Sequence, residues 1–214
     1  KYHKHDMGSY HLHTIKTEKF KTVTITVNFK RPVNKEEITI RSFLSSILVD
    51  SSKTFPTKRL LSIESEKLYG LDLSVNKRRL GNYDIISMEL TMINEKYTEE
   101  GMHEKSLAFL FDVLFKPNVT NNAFDSKTFN KVKKRIESRL KALKENTGRY
   151  AMLRTLEEMD DKSPISYPIG YLDDLNHINE KNLYDYYNGV IKSDEVDIYV
   201  LGDIDVSVLK NLFK

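Results

Sequence analysis

The chain has 214 residues, 39% of them hydrophobic and 30% charged, enough apolar content to close a core and too much for general disorder. The formal net charge of +3 is small for that length, and cysteine is absent, which excludes a disulfide framework, thiolate chemistry and any zinc–cysteine site. No run of about eighteen apolar residues occurs, so no membrane helix and no membrane partner are expected, and a cytoplasmic protein is.

Residues 1–9 are polar and read as an N-terminal extension, with 10–214 as a single domain. The first secure element is Val23-Thr24-Ile25-Thr26-Val27-Asn28-Phe29, whose strict alternation and β-branched content predict a strand with one buried face. Residues 10–15 alternate as well and are expected beside it, antiparallel. Asn34 followed by Glu37 resembles a capping box, and a helix is predicted over 35–49 with Ile40, Phe43, Leu44, Ile47 and Leu48 on one face. Thr57 is placed to cap a second helix that ends at Gly70. Strands follow at 71–75 and 83–93, joined by a basic loop over 77–82.

Helices then dominate. Leu107, Leu110, Phe111 and Leu114 share a face up to Pro117, and Phe129, Val132, Ile136, Leu140 and Leu143 mark a long amphipathic helix. Gly148 separates it from a helix at 150–159. A loop over 163–170, a helix over 179–188 and a strand over 195–201 complete the chain. Strand pairs interleaved with helices, without regular strand–helix alternation, predict an α+β fold with an antiparallel or mixed sheet packed against helices.

The residues offer no complete catalytic constellation. Lys131, Lys133, Lys134, Arg135, Arg139, Lys141 and Lys144 cluster on one helix, but Glu137 and Glu145 are interleaved, so a solvated face is expected rather than a nucleic-acid site. His11 and His13 share a strand face and are a weak candidate metal pair, the bland reading being an exposed terminal strand. His103-Glu104 lacks the second histidine of a zinc-binding helix, and His177 sits in a polar stretch. The carboxylate pairs Glu157-Glu158 and Asp160-Asp161 lie at a solvated helix end, where nothing raises a pKa.

Three stretches occur in a telling order. Lys53-Thr54-Phe55-Pro56-Thr57 precedes a helix that closes on Leu68-Tyr69-Gly70. Phe115-Lys116-Pro117-Asn118 ends the next helix. Tyr167-Pro168-Ile169-Gly170 is followed by Leu183-Tyr184-Asp185-Tyr186-Tyr187 and Tyr199-Val200-Leu201-Gly202-Asp203-Ile204-Asp205. Together, from Tyr10 onward, these resemble the insulinase/pitrilysin/mitochondrial-processing-peptidase family of metallopeptidases. The resemblance implies a LuxS/processing-peptidase-like metallohydrolase half-unit, the first half of a longer two-half chain. Active members carry H-x-x-E-H, two zinc ligands and a general base on one helix. The matching positions here are Ser42-Phe43-Leu44-Ser45-Ser46, and the match to the third ligand falls on Arg139.

The chain therefore looks most like the family's non-catalytic bacterial subunits, whose family name links them to elongation factor P modification. That implies no cofactor and no cleavage by this chain alone. It also implies a zinc-containing homologue as hetero-partner and a peptide or protein substrate held at a sheet edge, for which strands 23–29 and 83–93 are the candidates. Two alternatives stay open: an active zinc peptidase using ligands such as His11 and His13, and a structural assembly subunit sharing the fold.

Overall fold

The computed structural model describes residues 2–159, 170–205 and 207–209. Residues 163–169 of the expected loop, including the first three of Tyr167-Pro168-Ile169-Gly170, and Asp160-Asp161 lie outside them. The described chain folds as one six-stranded sheet with helices on one face and a short second hairpin. Strands β1 (Tyr2–Asp6), β2 (His11–Lys16) and β3 (Thr22–Pro32) come first, then helices α1 (Ile38–Leu48) and α2 (Lys58–Lys67). Strands β4 (Asp72–Leu80) and β5 (Tyr83–Ile93) precede α3 (Met102–Phe115) and the hairpin β6 (Val119–Thr120) and β7 (Ala123–Phe124). Helices α4 (Ser126–Glu145), α5 (Thr147–Glu158), α6 (Leu172–Leu175) and α7 (Glu180–Ser193) lead to β8 (Glu195–Gly202).

The sheet order is β1-β2-β8-β3-β5-β4. Only β2 and β8 pair in parallel, and every other neighbour is antiparallel, so the sheet is mixed as expected. Three expectations are corrected. Residues 10–15 do not flank the first secure strand, because β8 lies between them. Tyr2–Asp6, read as part of an N-terminal extension, forms the edge strand β1. Strands β3 and β5, the candidate peptide-binding edges, are both interior, and among the described residues the free edges are β1 and β4.

The basic stretch 77–82 is also mostly strand. Leu80 pairs with Tyr83, which leaves only Gly81 and Asn82 to turn, and Gly81 takes the left-handed φ of 57° that so short a connection needs. Asn121 and Asn122 do the same at φ 52° and 58° between β6 and β7, a hairpin with no expectation behind it. The break between α4 and α5 falls at Asn146, whose side chain accepts from Arg149 N, so Gly148 is inside α5.

Alternation sets the layers. On β3, Val23, Ile25, Val27 and Phe29 are buried in one core with Phe43, Leu44 and Ile47 of α1, Leu107 and Leu110 of α3, and Phe129, Val132 and Ile136 of α4. Phe43 stacks on Phe129 with ring centroids 4.7 Å apart. Thr24, Thr26 and Asn28 point to the opposite, helix-free face, as do Asp197 and Tyr199.

The start of α3 is clipped to the preceding turn by a reciprocal pair. His103 N donates to Glu95 Oε2 at 2.8 Å, and Glu95 N donates to His103 Nε2 at 3.0 Å. Burial lowers the His103 pKa against the opposing pull of Glu95, and backbone donors headed by His103 N lower that of Glu95. Both folded-state values lie below their unfolded ones, so both contributions are present above the unfolded values and are lost as pH falls. For His103 the loss begins below about pH 6.5. Denaturant melts from pH 7.5 to 5 should show stability falling with pH, and His103→Gln should flatten that slope.

Candidate functional site

Helix α1 carries the positions that matter. Its apolar stripe fixes the face it presents to the sheet, which leaves Ser42, Ser45 and Ser46 on its polar flank. Ser42 and Ser45 are buried and Ser46 half-buried. The hydroxyls of Ser45 and Ser46 turn inward on their own helix and donate to the Ser42 carbonyl at 2.8 and 3.0 Å. That is the local bonding expected of serine within a helix.

The third position is less simply placed. Arg139 is exposed on α4 and lines a shallow depression with Ala142, Leu143, Asn146 and Arg149. One turn earlier, Arg135 reaches α1: its Nη2 donates to the Ser46 carbonyl at 3.2 Å and its Nη1 to Asp50 Oδ1 at 2.9 Å. The structure thus brings Arg135, and not the expected Arg139, onto the serine helix. Asp50, which nothing in the sequence singled out, has a side chain only 1% exposed and also pairs with Lys131 at 3.2 Å. The basic face of α4 is therefore partly engaged in holding α1.

Zinc requires imidazole, thiolate or carboxylate donors preset at about 2.0–2.3 Å. Ser42, Ser45 and Ser46 offer neutral hydroxyls, two of them committed to a carbonyl, and a guanidinium lies at the end of the same helix. These residues do not fit the metal, and no hydrolytic step can be built on them.

The helix itself is held firmly at its other end. Arg41, 1% exposed, donates through Nη2 to Asp194 Oδ2 at 2.7 Å, to Phe29 O at 2.7 Å and to Asp84 O at 3.2 Å. Its Nε lies 3.4 Å from Asp84 Oδ1, and Lys77 Nζ is 2.9 Å from Asp84 Oδ2. Arg31 bridges Asp194 Oδ1 at 2.7 Å and Glu37 Oε2 at 2.5 Å, and the Tyr186 hydroxyl donates to the same Glu37 oxygen at 2.7 Å. Arg31, Arg41 and Lys77 thus balance Glu37, Asp84 and Asp194. Burial lowers the Lys77 pKa against the pull of Asp84, and it raises that of Tyr186. This network locks α1 to β3, to β5 and to the junction of α7 with β8, and no local pattern announces it.

The histidines are a separate matter. His11 and His13 lie on the helix-free face, across the sheet from α1. His13 is not exposed as expected but 5% accessible. Its Nε2 is 2.9 Å from Asp197 Oδ1, its Nδ1 is 2.7 Å from the Tyr2 hydroxyl, and its ring stacks on Tyr199 at 4.3 Å. With both nitrogens engaged, His13 cannot join His11 as a ligand without giving up one of these bonds. His177 is exposed as expected.

No family model matches the chain. It is 32% identical over 201 residues to the probable inactive metalloprotease YmfF of Bacillus subtilis (strain 168), covering 92% of this chain and 47% of that protein. Among solved structures, a conserved protein from Enterococcus faecalis V583 superposes with a TM-score of 0.91 at 29% identity, over 96% of this chain and 49% of its own. A peptidase M16 inactive domain from Pseudomonas fluorescens shares the fold at a TM-score of 0.78 and 13% identity, over 99% and 49% of the two chains. The chain thus spans about half the length of these relatives. No described helix is long and apolar enough to cross a membrane. The sequence likeness to a protein named inactive and the shared fold agree with what α1 displays: this chain is a half-unit of the insulinase/pitrilysin (M16) peptidase type, akin to its inactive members.

Proposed function

We propose that the chain is a catalytically silent wall of a peptidase-like chamber, which grips an extended peptide for a zinc-bearing homologue to cut. The observation that carries this reading is the serine triplet on α1, turned inward on an otherwise intact and firmly held helix. A scaffold kept rigid with its metal donors missing is suited to binding and positioning.

The grip is assigned to the free edge of β4, the strand beside α1. An unpaired edge offers backbone donors and acceptors to an added strand, and alternate side chains set preference. On β4, Asp72, Ser74, Asn76 and Arg78 alternate with Leu73, Val75 and Lys77. Successive N–H groups of a strand point to opposite sides, so of Ser74 and Val75 one donates to β5 and the other outward. Of the variants Ser74→Pro and Val75→Pro, one should keep its fold and lose peptide binding by about tenfold or more, as removal of a strand-addition donor predicts. Fluorescence anisotropy with a labelled extended peptide reads this.

The silent role is tested by assaying peptide cleavage by the full protein alone and with an H-x-x-E-H-bearing homologue. Cleavage is expected only in the mixture. Chelator-sensitive cleavage by this chain alone would sink the reading.

A further inference from the structure

We propose that the helix-free face of the sheet carries a divalent transition-metal site formed by His11, Asp197 and Glu195, with His13 as its positioning residue, which ties β2 to β8. It is distinct from the serine helix, which lies across the sheet. It also differs from the His11–His13 pair that the sequence offered.

The strand register builds the site. His11 of β2 sits directly opposite Asp197 of β8, and Glu195 lies two residues away on the same face of β8. One donor atom from each of the three lies within 4.8 Å of the other two. His11 Nδ1 is already 3.4 Å from Asp197 Oδ1. Ligands around a tetrahedral ion with bonds of about 2.1 Å stand roughly 3.4 Å apart, so closing the site asks for rotamer adjustment of the exposed Glu195 and its release from Lys30. One imidazole and two carboxylates suit zinc, manganese or cobalt, with at least one position left for water.

Asp197 is preset for this role. His13 Nε2 holds Oδ1 at 2.9 Å, and His13 is itself fixed by the Tyr2 hydroxyl and the Tyr199 ring. A ligating carboxylate oriented by a buried hydrogen-bond partner is the usual outer shell of a protein metal site. Oδ2 remains on the open side, and there its neighbour is Lys30, whose Nζ is 3.7 Å away and 2.9 Å from Glu195 Oε1. In the metal-free protein this ammonium occupies the charge position that a cation would take. Lys30 is therefore a competitor, and it sets a specific expectation: removing it should tighten metal binding, whereas removal of a bystander would not.

The experiment is titration of the metal-stripped full protein with Zn²⁺, and separately with Mn²⁺, by calorimetry, together with thermal melts. One ion per chain should bind. His11→Ala and Glu195→Gln should each weaken it, and His13→Phe should do so about tenfold by releasing Asp197. Lys30→Met should strengthen it. Saturating metal should raise Tm in the parent and not in Glu195→Gln, because an ion that binds only the folded chain stabilises it. Glu195 is exposed, so that variant tests the site even where a buried one fails to fold. His3 and His5 stack on β1 and are the rival metal binders, so His3→Ala/His5→Ala is the control. Metal binding lost in that double variant, unchanged in His11→Ala and Glu195→Gln, or absent altogether, would overturn the proposal. None of these readouts involves peptide cleavage, so the outcome is independent of the silent-subunit reading.

Discussion

Asp194→Ala should destabilise the protein by about 3–5 kcal/mol, the range for removing one partner of a buried ion pair. The carboxylate is fully buried and takes bonds from both Arg41 and Arg31. Its loss leaves the Arg41 guanidinium, 1% exposed, with Asp84 as its remaining anion at 3.4 Å and two backbone carbonyls. A domain is stable by only about 5–15 kcal/mol, so the variant should lose about a fifth or more of its margin. Arg41→Met should cost less than Asp194→Ala. It leaves no uncompensated cation, since Asp194 keeps Arg31 and Asp84 keeps Lys77. That ordering separates a charge-balance account from a simple count of lost bonds, which predicts the reverse because Arg41 makes more of them. Urea unfolding of the three proteins decides it, and equal costs would refute the charge argument.

How much of this was legible in the sequence follows from the range of each interaction. The alternation of Val23 to Phe29 and the 3.6-residue stripe from Phe129 to Leu143 are local signals, and both elements appear as read. The serines Ser42, Ser45 and Ser46 fall together on α1 because their offsets are those of one helix. Pairing order was not legible. The strand at 195–202 inserts between two N-terminal strands, and no property of residues 10–15 announces a neighbour about 186 positions away. His13 was misread for the same reason, as its two partners lie 11 and 184 residues distant. Lys77, Arg78 and Arg79 mimicked a loop by composition alone. Their strand is set by pairing with β5, and Lys77 is tolerated there because Asp84 lies across from Arg79 and within 2.9 Å of its ammonium. Arg139, matched by resemblance to a ligand position, is exposed on α4 one turn beyond Arg135, whose bonds to Ser46 and Asp50 span more than 80 residues and so leave no local signal.

Gly170→Ala should be nearly as costly, and it tests whether the glycine of the closing signature exists to seat α1. Gly170 has φ +100°, which side chains rarely adopt, and a Cβ there would lie 2.3 Å from Thr39 Oγ1 and 2.6 Å from Thr39 Cα. The hydroxyl could rotate away, but the Cα belongs to the first turn of α1 and cannot. Backbone strain of about 1–3 kcal/mol adds to overpacking of about 1–3 kcal/mol, so a loss of roughly 2–6 kcal/mol is expected. The same contact is bonded: Tyr171 N donates to Thr39 Oγ1 at 2.9 Å, and that hydroxyl donates to Asp174 Oδ2 at 2.8 Å. Thr39→Val, which keeps the volume and removes both bonds, should cost only about 1–3 kcal/mol. If steric approach is what matters, Gly170→Ala exceeds Thr39→Val. If the hydrogen bonds dominate, the order reverses, and denaturant melts of the two variants distinguish them. With Gly170 pressing on Thr39 and the charge network gripping Arg41, the first turn of α1 is fixed from two sides, immediately before Ser42. A helix held this closely is costly to lose even when its hydroxyls bind no metal. That gives a physical reason for a half-unit without zinc donors to keep the geometry of one that has them.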